Sequence, residues 1–264
     1  MKDRFHLLLK RRLRSEIERN PPLFPWETEG YDYDSEALPA VVAPRVPSQP
    51  WADQLRALSL PVPMPETVLA QIFAQCQAVV QTSLQEGAKL VRAVESLFPG
   101  HDVALNQLAG LVLASPVRSG TSAPARPLSA NLSANFPSHY EQATPAQQMA
   151  LSLIAAREVI ESLTIRLSPH SPQAERRWIT ASGNLLLNVT WDAAHQQIRV
   201  QGQLPCEGSM VFQHEGMRSQ THRLDAGQLS VELFNVELNQ SYLLEVQFEG
   251  ADQAALVFAI ALAD

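Results

Sequence analysis

The sequence is poor in the residue types that cofactor and disulfide sites require. Its 264 residues include only two cysteines and eleven glycines. Neither Cys76 nor Cys206 has a CxxC neighbour, so we expect two free thiols in a reducing compartment. The absence of a Walker loop and of a Gly-x-Gly-x-x-Gly motif argues against a phosphate-binding loop. We therefore predict no cofactor and no disulfide framework.

Long hydrophobic runs are also missing from the sequence. No stretch approaches eighteen uninterrupted apolar residues, which a membrane-spanning helix would need. The short leucine run at residues 7–9 is too brief for a secretory signal. We therefore expect no membrane span and a cytoplasmic location.

Groups that could carry catalysis or bind a metal are sparse. A nucleophile needs a base within hydrogen-bond reach, and no Gly-x-Ser-x-Gly elbow is present. His214 and His222 are predicted on neighbouring strands with Glu215 beside them, but a metal site needs three or four converging ligands. We expect these histidines to be surface residues. The sequence thus predicts a non-enzymatic protein with no catalytic residues and no metal.

What the chain does have is an uneven distribution of charge. Its net charge is −7. Residues 1–20 hold seven Lys/Arg against three acids, whereas residues 21–36 hold five acids and no basic residue. Residues 172–264 hold five arginines against eleven acids. The pattern indicates a small basic arm on a neutral to acidic body.

The basic arm, residues 1–20, is predicted to be an amphipathic helix. Its apolar side chains recur every fourth residue and comprise Phe5, Leu9, Leu13 and Ile17. Asn20 and the two prolines after it end the helix, because proline lacks the backbone donor and disfavours helix in the residue before it. A helix of this length needs a surface to cover its apolar stripe.

Residues 21–64 are predicted to be a proline-rich linker, since prolines favour extended and solvated backbone. The linker holds the acidic segment 27–36 and an aromatic anchor composed of Leu23, Phe24 and Trp26. A second apolar anchor, residues 51–60, is expected to dock on a folded surface.

A helical domain is predicted over residues 65–168. Apolar residues at helical spacing predict helices over 65–98 and 101–114, and a third helix from Thr144 to about residue 168. Residues 116–143 are rich in Ser, Ala and Pro and are predicted to be a flexible loop. Three helices with these apolar faces predict a small helical bundle.

From about residue 172 the hydrophobic period changes from 3.6 to 2. Seven short strands, with an eighth over residues 176–180, alternate with turn residues through to residue 264. This spacing predicts an antiparallel β-sandwich over residues 172–264. The fold class is therefore α+β, with the sandwich following the bundle as a separate domain or packing on it as one body.

The segment from Leu224 to Val246 resembles the end of a prealbumin-like, carboxypeptidase-regulatory-type β-sandwich. Members of that group show an Asp-x-Gly turn, a strand and then a strand that carries a tyrosine. Asp225, Gly227 and Tyr242 occupy those places here, although the Gly-Pro turn often found before the tyrosine is absent. The resemblance implies a fold and no particular activity.

Three further segments are FHLLLKRRL at residues 5–13, NPPLFPWE at residues 20–27 and LNQLAGLVL at residues 105–113. Together they resemble the cyanobacterial PatU family, which is associated with heterocyst patterning. The resemblance implies a cytoplasmic regulatory protein that acts through protein partners, with no catalytic residues to carry over.

The basic arm has three interpretations. Its apolar stripe and the aromatic anchor can bind a partner protein or a second copy of this chain. Its basic face can instead bind an anionic surface such as nucleic acid, through Lys10, Arg11, Arg12 and Arg14. The arm can also fold back on the acidic segment 27–36.

The preferred function is that of a non-catalytic regulatory or adaptor protein in developmental or transcriptional regulation. Its expected partner is another protein, such as a transcription regulator, or a second copy of the chain. The alternative function is a regulator that contacts nucleic acid directly through the basic helix.

Overall fold

The computed structural model describes residues 51–114, 136–249 and 255–263, which all belong to one compact unit. The predicted amphipathic helix 1–20, the linker up to residue 50 and most of the loop 116–143 lie outside the described residues.

The described residues form helices and β-sheets, which confirms the predicted α+β class. Five α-helices are present in these ranges: α1 Ala52–Arg56, α2 Glu66–Val80, α3 Glu86–Val94, α4 Asp102–Ala114 and α5 Pro145–Leu163. Two 3-10 turns accompany them at Glu95–Leu97 and Tyr140–Gln142. Of the helices described, none is both long and apolar enough to cross a lipid bilayer.

The single helix predicted over residues 65–98 is divided into α2 and α3. The division has a local cause at Thr82, whose amide and hydroxyl both donate to the carbonyl of Val79, at 3.0 and 2.7 Å. These bonds close the last turn of α2, and Gln85 then takes an extended conformation before α3 begins. Gly87 lies inside α3, so the division of the helix does not occur at this glycine.

The start of α5 follows from local sequence. Thr144 caps the helix, because its hydroxyl accepts from the amide of Gln147 while the Gln147 side chain accepts from the Thr144 amide. Pro145 occupies the first helical position, where its missing donor has no cost.

Nine strands follow, and they make up two sheets. Their bounds are β1 Thr164–Leu167, β2 Gln173–Thr180, β3 Gly183–Asp192, β4 Gln197–Leu204, β5 Gly208–His214, β6 Met217–Arg223, β7 Gly227–Phe234, β8 Gln240–Phe248 and β9 Leu256–Leu262. The strand orders are β1-β9-β8-β5-β6 and β2-β3-β4-β7. Every pairing is antiparallel except that of β1 with β9.

β1 is the strand that the sequence pattern assigned wrongly to the third helix. The helix ends at Leu163, and the hydroxyl of Thr164 donates to the carbonyl of Ile160 at 2.7 Å. The chain then extends and pairs in parallel with β9, so that Thr164 lies opposite Ala259. A pairing between segments so far apart leaves no local signal in the sequence.

The helices and the two sheets share one hydrophobic core. Phe73 of α2 lies between Trp51 and Trp178 of β2, with ring centroids 5.0 and 6.0 Å away. Trp178 in turn meets Phe258 of β9 edge to face at 5.5 Å. The change from helices to strands is therefore not accompanied by a break in the core. Within the described part of the chain, the sandwich and the helices pack as one body.

Residues 51–64, the end of the predicted linker, contribute to this core. Trp51 and Leu55 are buried in it, whereas Val62 is buried in a smaller cluster with Ala143 and Leu151. Gln54 also accepts the amide of Ile179 at the edge of β2 at 2.9 Å, so α1 covers part of that sheet edge.

Candidate functional site

The predicted binding residues of the arm and the aromatic anchor lie outside the described residues. The partner-binding set is Phe5, Leu9, Leu13, Ile17, Leu23, Phe24 and Trp26, and the basic set is Lys10, Arg11, Arg12 and Arg14. Their roles remain predictions. The surface of the described residues has three other features that could bind a ligand or a partner.

The first feature concerns the histidines considered as metal ligands. In the β5–β6 hairpin His214 lies opposite Met217, whereas His222 lies opposite Ser209 near the other end. At a rise of about 3.3 Å per residue, the two positions are ~17 Å apart along the sheet. His214 and His222 therefore do not converge on one ion, and Glu215 lies near His214 but not near His222.

A cavity of about 420 Å³ opens beside His214, where the end of α2 meets β5, β6 and β8. The imidazole was expected at the surface, but its side chain is only 15% exposed. Its Nδ1 lies 3.0 Å from the carbonyl oxygen of Ser241, so Nδ1 carries the proton and donates to that oxygen. The centroid of the imidazole ring lies 4.5 Å from the centroid of the Tyr242 ring.

The other groups around this cavity limit its chemistry. Arg218 and Gln213 line it, and Nε2 of His214 lies 4.0 Å from a carboxylate oxygen of Glu215. Burial raises the pKa of Tyr242, and its hydroxyl is already bonded to the backbone of Glu237. Among the described residues no hydroxyl or thiol side chain hydrogen-bonds to His214. The geometry is that of a shallow polar recess rather than of an activated nucleophile.

The second feature is a cluster of Glu207, His222 and Glu249. One ligand-type atom of each lies within 4.8 Å of those of the other two. Glu207 precedes β5, His222 lies on β6 and Glu249 follows β8, so three separate segments contribute. Sequence reasoning selected His222 but paired it with the wrong neighbours, because only the strand register brings the two glutamates to it.

The third feature is the 234–239 loop, which runs from Phe234, the last residue of β7, to Asn239, just before β8. Phe234 is 54% and Leu238 is 42% exposed, whereas Val236 between them is buried. The alternation directs two large apolar side chains outward around one that anchors the loop. No motif in the sequence distinguishes these outward residues from the buried ones.

Backbone contacts hold the 234–239 loop in place. The amide of Val236 donates to the carbonyl of Gln196 at 3.0 Å, and that of Asn239 donates to the carbonyl of Leu262 at 2.6 Å. Asn235 and Asn239 have φ of 57° and 61°, in the left-handed region that asparagine tolerates. The backbone of the loop is thus fixed in a conformation that exposes the side chains of Phe234 and Leu238 to solvent.

Comparisons of the chain with protein-family models, with curated proteins and with solved structures found no match. The resemblances to the PatU family and to the prealbumin-like sandwich therefore stay predictions.

Proposed function

We propose that this protein is a non-catalytic regulatory or adaptor protein of the cytoplasm that works by binding other proteins. The observation that carries the proposal is the 234–239 loop, which holds Phe234 and Leu238 outward on a fixed backbone. The resemblance of the sequence to the PatU family supports a regulatory role.

The physical case for binding begins with solvation. Burying a phenylalanine or leucine side chain is worth about 1.5–3 kcal/mol, so leaving both in water forgoes that stabilisation unless a partner covers them. Large aromatic anchors that fill a pocket on a partner supply much of the affinity of protein interfaces. Phe234 lies at the end of β7, opposite Gln197, where a partner can reach it.

Rigidity adds to this case. A loop that is already ordered loses little conformational entropy on binding, which improves affinity without new contacts. The bonds from Val236 to Gln196 and from Asn239 to Leu262 supply that order. The basic arm with its aromatic anchor is the second proposed docking element, and the two elements can act on the same partner.

Affinity capture with the full chain tests the proposal. The variants are Phe234→Ala/Leu238→Ala, Leu224→Ala and a chain that lacks residues 1–26. Leu224 is the matched control because it is a 74% exposed apolar residue in the turn at the opposite end of β7. We expect the double variant to lose a partner that the Leu224→Ala variant retains, by at least about tenfold in recovered amount.

The deletion separates the arm from the loop. Loss of partners on deletion alone would assign binding to the arm, and loss in both variants would assign it to the two elements together. Equal partner sets for the wild type, the double variant and the deletion would overturn the proposal. Thermal unfolding of the double variant checks that its fold is retained.

The alternative function is direct contact with nucleic acid, favoured by the seven Lys/Arg residues in 1–20. The groups concerned are Lys10, Arg11, Arg12 and Arg14. A mobility shift that weakens steeply as salt rises, and that disappears when these four residues become Ala, would favour this alternative over the adaptor role.

A further inference from the structure

We infer that Glu207, His222 and Glu249 form a surface site for one divalent transition-metal ion, with Zn²⁺ the preferred ion. The inference does not depend on the proposed function. It follows from the strand register, from an unbalanced pair of carboxylates and from the chemistry of the three side chains.

The register places the three side chains on one face of the sheet. Gly208 lies opposite Phe248, and the amide of Glu249 donates to the carbonyl of Glu207 at 3.0 Å, so these two glutamates are also opposite each other. Ser209 lies opposite His222 on the other side of β5. Residues two apart on a strand share a face, so Glu207 and His222 point to the same side.

A close approach of two strands supports this convergence. A Cβ atom at Gly208 would lie 2.5 Å from the carbonyl oxygen of Gln247 and 3.3 Å from Cα of Phe248. Only glycine permits β5 and β8 to come so near at this point. The approach brings the residues that flank Gly208 and Phe248, namely Glu207 and Glu249, close together.

In the part of the chain that the structure describes, no lysine or arginine forms an ion pair with either carboxylate of the cluster. Like charges directly opposite each other on neighbouring strands are destabilising. Within residues 51–114, 136–249 and 255–263, neither Glu207 nor Glu249 has an ion pair with lysine or arginine. Arg223, next to His222, is bonded to Asp225 at 2.7 Å instead. A bound cation would remove this repulsion.

The imidazole of His222 is exposed and has no hydrogen bond to any other described residue. Its ring nitrogen is therefore available to a metal. One imidazole and two carboxylates are ligands that Zn²⁺ accepts, whereas Ca²⁺ and Mg²⁺ favour sites made only of oxygen.

The dimensions suit a small ion. Tetrahedral Zn²⁺ with ligands near 2.1 Å places the ligand atoms about 3.4 Å from one another. The ligand atoms of the three side chains lie within 4.8 Å of one another. Rotation of the exposed His222 and Glu249 side chains is enough to bring these atoms to the shorter separation. The ion would tie the edge strand β6 to β8 across β5, and its fourth position would be open to water or to a ligand from a partner.

Isothermal titration of the full chain with Zn²⁺ near neutral pH tests the site, together with the visible spectrum of Co²⁺ as a probe of tetrahedral geometry. The variants are His222→Ala and Glu249→Gln. His195→Ala is the matched control, because His195 is also exposed and lies 2.7 Å from the carboxylate of Asp192, but among the described residues it belongs to no group of three ligand-type side chains. We expect affinity to fall by about tenfold or more in the two site variants and to stay unchanged in the control.

The inference would be overturned by an absence of measurable Zn²⁺ binding, by equal affinity in the wild type and the His222→Ala variant, or by tighter binding of Ca²⁺ than of Zn²⁺. An equal loss in the His195→Ala variant would do the same, since it would show binding by scattered histidines. Metal-free thermal unfolding of the Glu249→Gln variant serves as the folding check, and we expect its Tm to be equal to or above that of the wild type because repulsion is relieved.

Discussion

The hydroxyl of Tyr242 forms two hydrogen bonds with the backbone of Glu237: it accepts from the amide at 2.6 Å and donates to the carbonyl at 3.2 Å. The tyrosine ring is buried in the core of the sandwich while its hydroxyl reaches the 234–239 loop. A tyrosine bonded back to the chain a few residues upstream also occurs in other β-sandwiches. Here it links the core to the loop that we propose as a docking element.

Replacing Tyr242 by phenylalanine removes both of these bonds and keeps the ring. We expect the free energy of unfolding to fall by about 1–2 kcal/mol, because a backbone donor and a backbone acceptor lose their partner. Urea denaturation measures the change. Tyr140→Phe is the comparison, since its hydroxyl makes one bond, to Ser152 at 3.2 Å, and a smaller loss is expected. An equal or greater loss at Tyr140 would contradict this account.

Two glycine substitutions are expected to have opposite effects. Gly208→Ala places a methyl group against the carbonyl of Gln247, which forces strands apart and lowers the free energy of unfolding by about 1–3 kcal/mol. Gly110→Ala in α4 meets no atom within 4 Å and is expected to raise it by about 0.5–1 kcal/mol, because alanine favours helix. Thermal unfolding of both variants checks the prediction, and a neutral Gly208→Ala would contradict the close approach.

The two thiols are expected to differ in reactivity. Burial raises the pKa of Cys76 far above its usual range, and its thiol lies 3.7 Å from the carbonyl of Ala156, which accepts from it. The thiolate is the reactive form, so Cys76 should resist alkylation in the folded protein. Cys206 is partly exposed and should be modified first. Iodoacetamide labelling with mass spectrometry, before and after denaturation, checks the order; rapid native labelling of Cys76 would contradict it.

Asp192 is expected to make stability depend on pH in the acid range. The side-chain hydrogen bond from His195 lowers the pKa of Asp192, as do the backbone amides of His195 and Ala194. A carboxyl whose pKa is lower in the folded state stabilises it above the unfolded pKa of about 3.9 and loses that effect as pH falls through the folded value. NMR titration should show the Asp192 pKa rising in the His195→Ala variant. An unchanged pKa would contradict the assignment of the main cause.

Much of the fold could be predicted because its signals are local. The cap at Thr144 and Pro145 placed the start of α5, and strict alternation placed strands such as β3 and β4. The break between α2 and α3 was not predicted, because apolar periodicity continues through residues 81–85. The hydroxyl of Thr82 nevertheless ends the first helix. β1 was not predicted, because its partner strand β9 is nearly a hundred residues away in the sequence.

The cluster of Glu207, His222 and Glu249 shows even more clearly which features are local in the sequence and which depend on the tertiary structure. Hydrophobic periodicity predicted an α+β protein, and the scarcity of catalytic motifs predicted few groups suited to catalysis. Both predictions depend only on residue types and their spacing. Which side chains meet was decided by the tertiary structure: the register of β5, β6 and β8 separates His214 from His222 and brings Glu207 and Glu249 to the latter. A shift of one residue in pairing reverses the face of every side chain, and the pairing itself depends on packing of the whole core.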